Sequence, residues 1–152
     1  MYELVVFFHI LGGFFWIGGV LYVQSIWHRM ILSDSDDSAR GIFEAIEWSA
    51  NRVIVPAALV VLAAGITMVA VNDAWAFSQL WVILALVLFV VSAFGFGTWT
   101  DKLTARSLEH LAAEGVKGPN YVAATRKLMN VVRVDSLVVV GILALMVFKP
   151  GA

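Results

Sequence analysis

Leu80 to Trp99 reads LWVILALVLFVVSAFGFGTW, and no residue in it carries a charge. Crossing the hydrocarbon core of a bilayer takes about 20 apolar residues of α-helix, and this stretch supplies them. Its apolar residues run on without alternating with polar ones, unlike a strand of a transmembrane barrel. Three further apolar runs accompany it, at about residues 2–32, 53–71 and 128–148. The first is too long for a signal-peptide core and lacks a basic start, so it reads as a retained helix. The expectation is an all-α membrane protein: a bundle of four transmembrane helices forming one integral membrane domain over residues 1–152.

Composition agrees with lipid as the solvent. Of the 152 residues, 61% are hydrophobic and 14% charged, and the mean hydropathy is +0.90. A soluble domain carries about 25% charged residues. There is no cysteine, which excludes disulfides, thiolate catalysis and cysteine-bound metal clusters. No glycine loop resembles a phosphate cradle and the basic residues follow membrane topology, so nothing points to nucleic acid.

The basic residues set an expected orientation. Arg29, Arg40 and Arg52 flank the first loop, and Lys102, Arg106, Lys117, Arg126 and Lys127 lie in the third. The other side holds Lys149, with Asp73 in the short second loop. The positive-inside rule then puts both long loops in the cytoplasm and both termini outside, as expected of a multi-pass protein of the cytoplasmic (inner) membrane. Short amphipathic helices are expected in those loops. Ser35 or Asp36 would cap one running to about Ser49, with Ile42, Phe43 and Ile46 on one face. Thr100 to Glu114 reads as a continuation of the third helix closed by Gly115, and Gly118, Pro119 and Asn120 as a turn before the fourth.

Ionisable residues within the spans are the candidate functional groups. His9 lies about two turns into the first helix. Gly13, Trp16, Val20 and Trp27 follow it at spacings near a helical period, and Gly12 and Gly13 remove side chains beside the imidazole, so His9, Gly13 and Trp16 mark a face with room for a flat cofactor. Neutral imidazole is a ligand for iron or copper. The same pattern also describes a histidine bonded to a neighbouring helix in a glycine-lined packing seam. Met68 and Met146 fall at a similar depth on other helices, and either is a candidate second axial ligand to a heme held by His9; methionine is equally a core filler. His28 lies about 28 Å further along the first helix at 1.5 Å per residue, too far to share a metal with His9. A buried carboxylate needs a partner, and Arg52 and His28 lie at a depth comparable to Asp135. These three form an expected polar cluster, either an ion pair fixing helix packing or a proton-handling group.

These motifs resemble a known group. The first helix reads His9-Ile-Leu-Gly-Gly-Phe-Phe-Trp16, followed by Gly19 and Tyr22. The second begins Arg52-Val-Ile-Val-Pro56-Ala57 and continues to Gly65, and the fourth carries Arg133-Val-Asp135 and ends Phe148-Lys149-Pro150. In this order they are similar to the HemJ-type protoporphyrinogen oxidase family and its small four-helix relatives, and more distantly to the membrane region of copper-resistance D proteins. The resemblance implies a b-type heme near His9 and redox chemistry on a porphyrinogen. It departs in the third helix, where that family carries a lysine and a histidine and this chain has Ala85 and, approximately, Phe96. Asp135 also stands in place of a glutamate. The expectation is therefore a HemJ-like membrane protein binding heme b or a related tetrapyrrole, in electron transfer or heme-pathway redox chemistry. Two other classes stay open: a cofactor-free structural or assembly subunit of a larger membrane complex or homo-oligomer, and a membrane copper-handling protein using His9 and a methionine.

Overall fold

The computed structural model describes residues 1–31 and 34–151; the side chains of Trp27, His28, Met30 and Ile31 lie outside the described residues. Six helices appear in order: α1 (Tyr2–Ile31), α2 (Asp36–Ser49), α3 (Val55–Val71), α4 (Leu80–Val90), α5 (Gly97–Glu114) and α6 (Pro119–Phe148). Among the described residues there is no strand.

Local chemistry explains where these helices start and stop. The Ser35 hydroxyl accepts the Ser38 N–H at 3.3 Å, and Asp36 and Asp37 place negative charge in the first turn of α2, where the helix dipole favours it. Gly115 closes α5 at φ +78°, with its N–H on Leu111 O at 3.0 Å. Pro119 opens α6, where its missing N–H costs nothing.

Two wide π turns join helices end to end. Ala50–Ile54 links α2 to α3, and Val91–Phe96 links α4 to α5. Pro56 has no N–H to give Arg52 O, so a regular helix would break its ladder here. The backbone instead shifts register, and Val55 N–H bonds Ala50 O. In the second turn Gly97 N–H bonds Ser92 O, next to Gly95 and Gly97, which lack side chains to crowd it. The result is four rods: α1, α2–α3, α4–α5 and α6. Each includes a stretch long and apolar enough to cross a membrane.

Both termini and the short 72–79 loop lie at one end of the bundle. Asn72 Nδ2 donates to Tyr2 Oη at 3.0 Å, and Lys149 Nζ stands 4.3 Å from the centre of the Trp75 ring. The two long loops meet at the other end, where Val116 N–H donates to Asp36 Oδ1 at 2.7 Å. These are called the termini end and the long-loop end below.

α1 packs on α3 and α6, and α6 also packs on α4 and α5; the α3 and α4 backbones do not approach closely, and those helices meet through side chains, Val69 with Trp81 and Val82. Glycines allow the α1–α3 approach. A Cβ on Gly12 would lie 3.1 Å from Ala57 O, and one on Gly19 would lie 2.6 Å from Ile54 Cγ1. The long-loop end is filled by Phe43, Leu103, Leu111, Tyr121 and Leu128. Outward faces carry Phe7, Phe8, Phe14 and Phe15 on α1 and Leu137 and Val147 on α6, all exposed. A contiguous apolar surface of that kind is a liability in water and the expected finish in lipid.

Candidate ligand cavity

Residues of α1, α3, α4 and α6 surround a half-open apolar cavity of about 250 Å³ at the termini end. That volume lies near the lower edge of the roughly 300–1,000 Å³ typical of ligand clefts. The floor is Trp16 of α1, 5% exposed, its ring 5.2 Å from that of Phe89 of α4. Trp75 and Lys149 line it beside the 72–79 loop, at the mouth, with the buried Trp81 edge-on to Trp75 at 5.7 Å.

His9 lines the wall, half-buried, with its Nδ1 3.0 Å from Val61 O. A carbonyl only accepts, so Nδ1 carries the proton and Nε2 keeps its lone pair. Nε2 has no hydrogen-bond partner among the described residues. An imidazole that ligates a metal is commonly held in this way, its other nitrogen donating to a backbone carbonyl. Gly65 makes room for the ring: a Cβ there would lie 3.2 Å from His9 Cε1 and 3.5 Å from Nδ1.

The cavity therefore gathers His9, Trp16, Met68 and Met146, four of the five residues expected to hold a cofactor. Gly13 stays outside it, and a Cβ there would meet nothing within 4 Å. The reason is angular. Four helical residues overshoot a full turn by about 40° and seven fall about 20° short of two turns, so Gly13 and Trp16 diverge to opposite sides of His9. Space beside the imidazole comes from Gly65 on the facing helix, not from Gly12 or Gly13. Among the described residues no three His, Asp or Glu side chains cluster as a metal site.

The expected polar cluster does not assemble among the described residues. Asp135 is half-buried and its Oδ1 accepts from Ser92 Oγ at 2.6 Å. Arg52 is exposed and lies beyond ion-pair distance of Asp135; among the described residues the ion pair present joins the N-terminus to Glu3. The side chain of His28 lies outside the described residues. Arg52 sits within one π turn and Ser92 within the other. Depth can be counted along a helix, but an extra residue in a π turn rotates everything beyond it by about 100°.

Three lining residues, Trp75, Trp81 and Lys149, carry no signal as site members in the sequence. Lys149 reads there as the cation of the termini side.

Fold and surface define a four-rod, all-α integral membrane protein with a half-open apolar cavity. The chain belongs to the DUF2269 family of predicted integral membrane proteins, whose pattern matches residues 3–150. No curated protein and no solved structure matches it.

Proposed function

We propose that the cavity binds a b-type heme or closely related tetrapyrrole with His9 Nε2 as axial ligand, serving electron transfer or heme-pathway redox chemistry. The observation that carries this reading is the fixed imidazole. Its Nδ1–H is committed to Val61 O, its ring is seated against Gly65, and it lines an apolar cleft. A tetrapyrrole brings four nitrogen donors of its own, so one protein nitrogen suffices. A bare copper ion would need its donors from the protein, and here they would be His9 with the thioethers of Met68 or Met146. When bound, heme supplies a one-electron redox centre. The chain's own part is to hold the ring nitrogen, exclude water with the Trp16–Phe89 floor, and offer Met68 or Met146 as a second ligand.

On the same reading the protein crosses the cytoplasmic membrane with its long loops in the cytoplasm, because those loops carry most of the Lys and Arg. A reporter fused after Ala152 is then extracytoplasmic and one near Lys117 cytoplasmic.

The test is spectroscopic. Purified protein titrated with heme gives a Soret band shifted from that of free heme, and His9→Ala loses it while keeping its helical circular dichroism. Wild type that takes up no heme overturns the reading. Weight then moves to an assembly subunit, for which the exposed Phe7, Phe8, Phe14 and Phe15 would be a docking face for another membrane chain or a second copy.

A further inference from the structure

The mouth of the cavity holds a cation that nothing neutralises among the described residues. Lys149 follows the last turn of α6 in the left-handed conformation, φ +42° and ψ +58°, with its N–H on Leu145 O at 3.0 Å. That conformation is uncommon for a residue with a side chain. Here it accompanies a half-buried ammonium that lines the cavity. Nζ lies 4.3 Å from the Trp75 ring centre and 5.7 Å from that of Trp81. Two indoles thus fix the position of the charge. Among the described residues no carboxylate stands within 4.0 Å of it; Asp73, in the adjacent loop, is exposed and unpaired with it. A lysine serving as a plain interfacial anchor would extend its ammonium to the headgroups. This one is folded over two indoles of a cleft whose other titratable lining residue is His9.

We propose that Lys149 recognises a carboxylate, so that the cavity selects amphiphilic acids: a broad apolar body inside, reaching His9, with an acidic group at the mouth. This rests on the tetrapyrrole reading for the body and adds the selectivity. The propionate edge of a free-acid tetrapyrrole meets Lys149, and the esterified molecule, with the same ring and no charge, does not. An ammonium–carboxylate contact at the edge of an apolar site is a charge-assisted bond, stronger than its neutral counterpart. Trp75 and Trp81 hold the ammonium in place before the ligand arrives, so less freedom is lost on binding.

The experiment compares heme with heme dimethyl ester by Soret titration of the full chain in detergent. Wild type is expected to bind the free acid about tenfold or more tightly than the ester. Lys149→Met should bind the two alike, with affinity for the ester unchanged, and Lys149→Arg should keep the preference. Equal binding of both ligands by wild type overturns the role of Lys149 and leaves the heme reading standing. A Lys149→Met protein weakened equally toward both ligands also overturns it, because that is the signature of a residue that only holds the fold. Binding of neither ligand by wild type overturns both proposals together.

Discussion

At the long-loop end Leu111, Tyr121 and Leu128 are 2%, 1% and 0% exposed, whereas at the termini end His9, Met68 and Met146 stay half-buried around open space. The same four rods build both ends; the covering differs. Two long connections supply α2 and the outer half of α5 as a cap on the long-loop end, and Asp36 ties them together through Val116 N–H. The 72–79 connection supplies no helix, so no cap of that kind covers the cavity at the termini end. Close packing and an unfilled cleft exclude each other at one place in a small bundle. This protein separates them along the bundle axis, with tight packing at one end and a receptive wall at the other.

The largest expected effect attacks the packed end. Leu111 sits on α5 beyond the apolar run, so its burial is burial away from water. Leu111→Ala should cost about 2–5 kcal/mol of stability, read as a lowered thermal midpoint in detergent, with heme affinity unchanged in the molecules that remain folded. If Leu111→Ala removes heme binding at a temperature where the helices persist, the two ends are coupled and their separation fails.

The converse experiment belongs to the open end. Gly65→Val places branched carbon where a Cβ alone would lie 3.2 Å from His9 Cε1. The imidazole must swing away, and the bond to Val61 O goes with it. Heme affinity should fall by about tenfold to a hundredfold, or roughly 1.4–2.8 kcal/mol. The thermal midpoint of the ligand-free protein should move little, because the cleft has room for the displaced ring. Gly65→Ala should show the same sign with a smaller effect. Unchanged heme affinity in Gly65→Val would remove Gly65, and the seat it forms for His9, from the site.

Much of this comparison could be read in the sequence, and the part that could not has a definite cause. Apolar runs fixed by hydropathy place the four rods, and Ser35 and Gly115 place two of their ends; Pro119 and Asn120, which read as a turn before the fourth helix, are instead its first residues. Counting along helices put His9, Met68 and Met146 at one level, which is the level of the cavity. Counting does not give azimuth across helices. Gly13 follows His9 by one turn and so reads as space beside the ring, yet the glycine that meets the ring, Gly65, lies on another helix. Arg52 was matched to Asp135 by depth, but two π turns rotate the intervening faces, and Asp135 meets Ser92 instead. Lys149 is legible as a topological charge and as part of the terminal Phe148-Lys149-Pro150 motif; its fold over Trp75 depends on its left-handed backbone after α6 and on a loop from a different part of the chain.

The smallest expected effect concerns the level where the two ends meet, and its value lies in an asymmetry. Ser92 Oγ donates to Asp135 Oδ1 at 2.6 Å, joining the π turn after α4 to the middle of α6. Ser92→Ala leaves the half-buried carboxylate without its partner among the described residues. An unsatisfied buried acceptor costs more than the hydrogen bond contributes net, and for a half-buried group the cost should be about 1 kcal/mol. Asp135→Leu removes the demanding partner and keeps an apolar volume in place. The Ser92 hydroxyl left behind has a fallback in its own helix, since a serine readily bonds the carbonyl one turn earlier. Ser107 and Ser136 do this here, at 2.9 Å to Leu103 O and Val132 O. Asp135→Leu should therefore destabilise less than Ser92→Ala, or not at all, in detergent melts. A buried ion pair between Asp135 and Arg52 would give the opposite order, because losing the carboxylate would strand a cation. If Asp135→Leu proves the worse variant and Arg52→Met rescues it, the carboxylate is paired with Arg52, and the packed end extends to the level of Asp135.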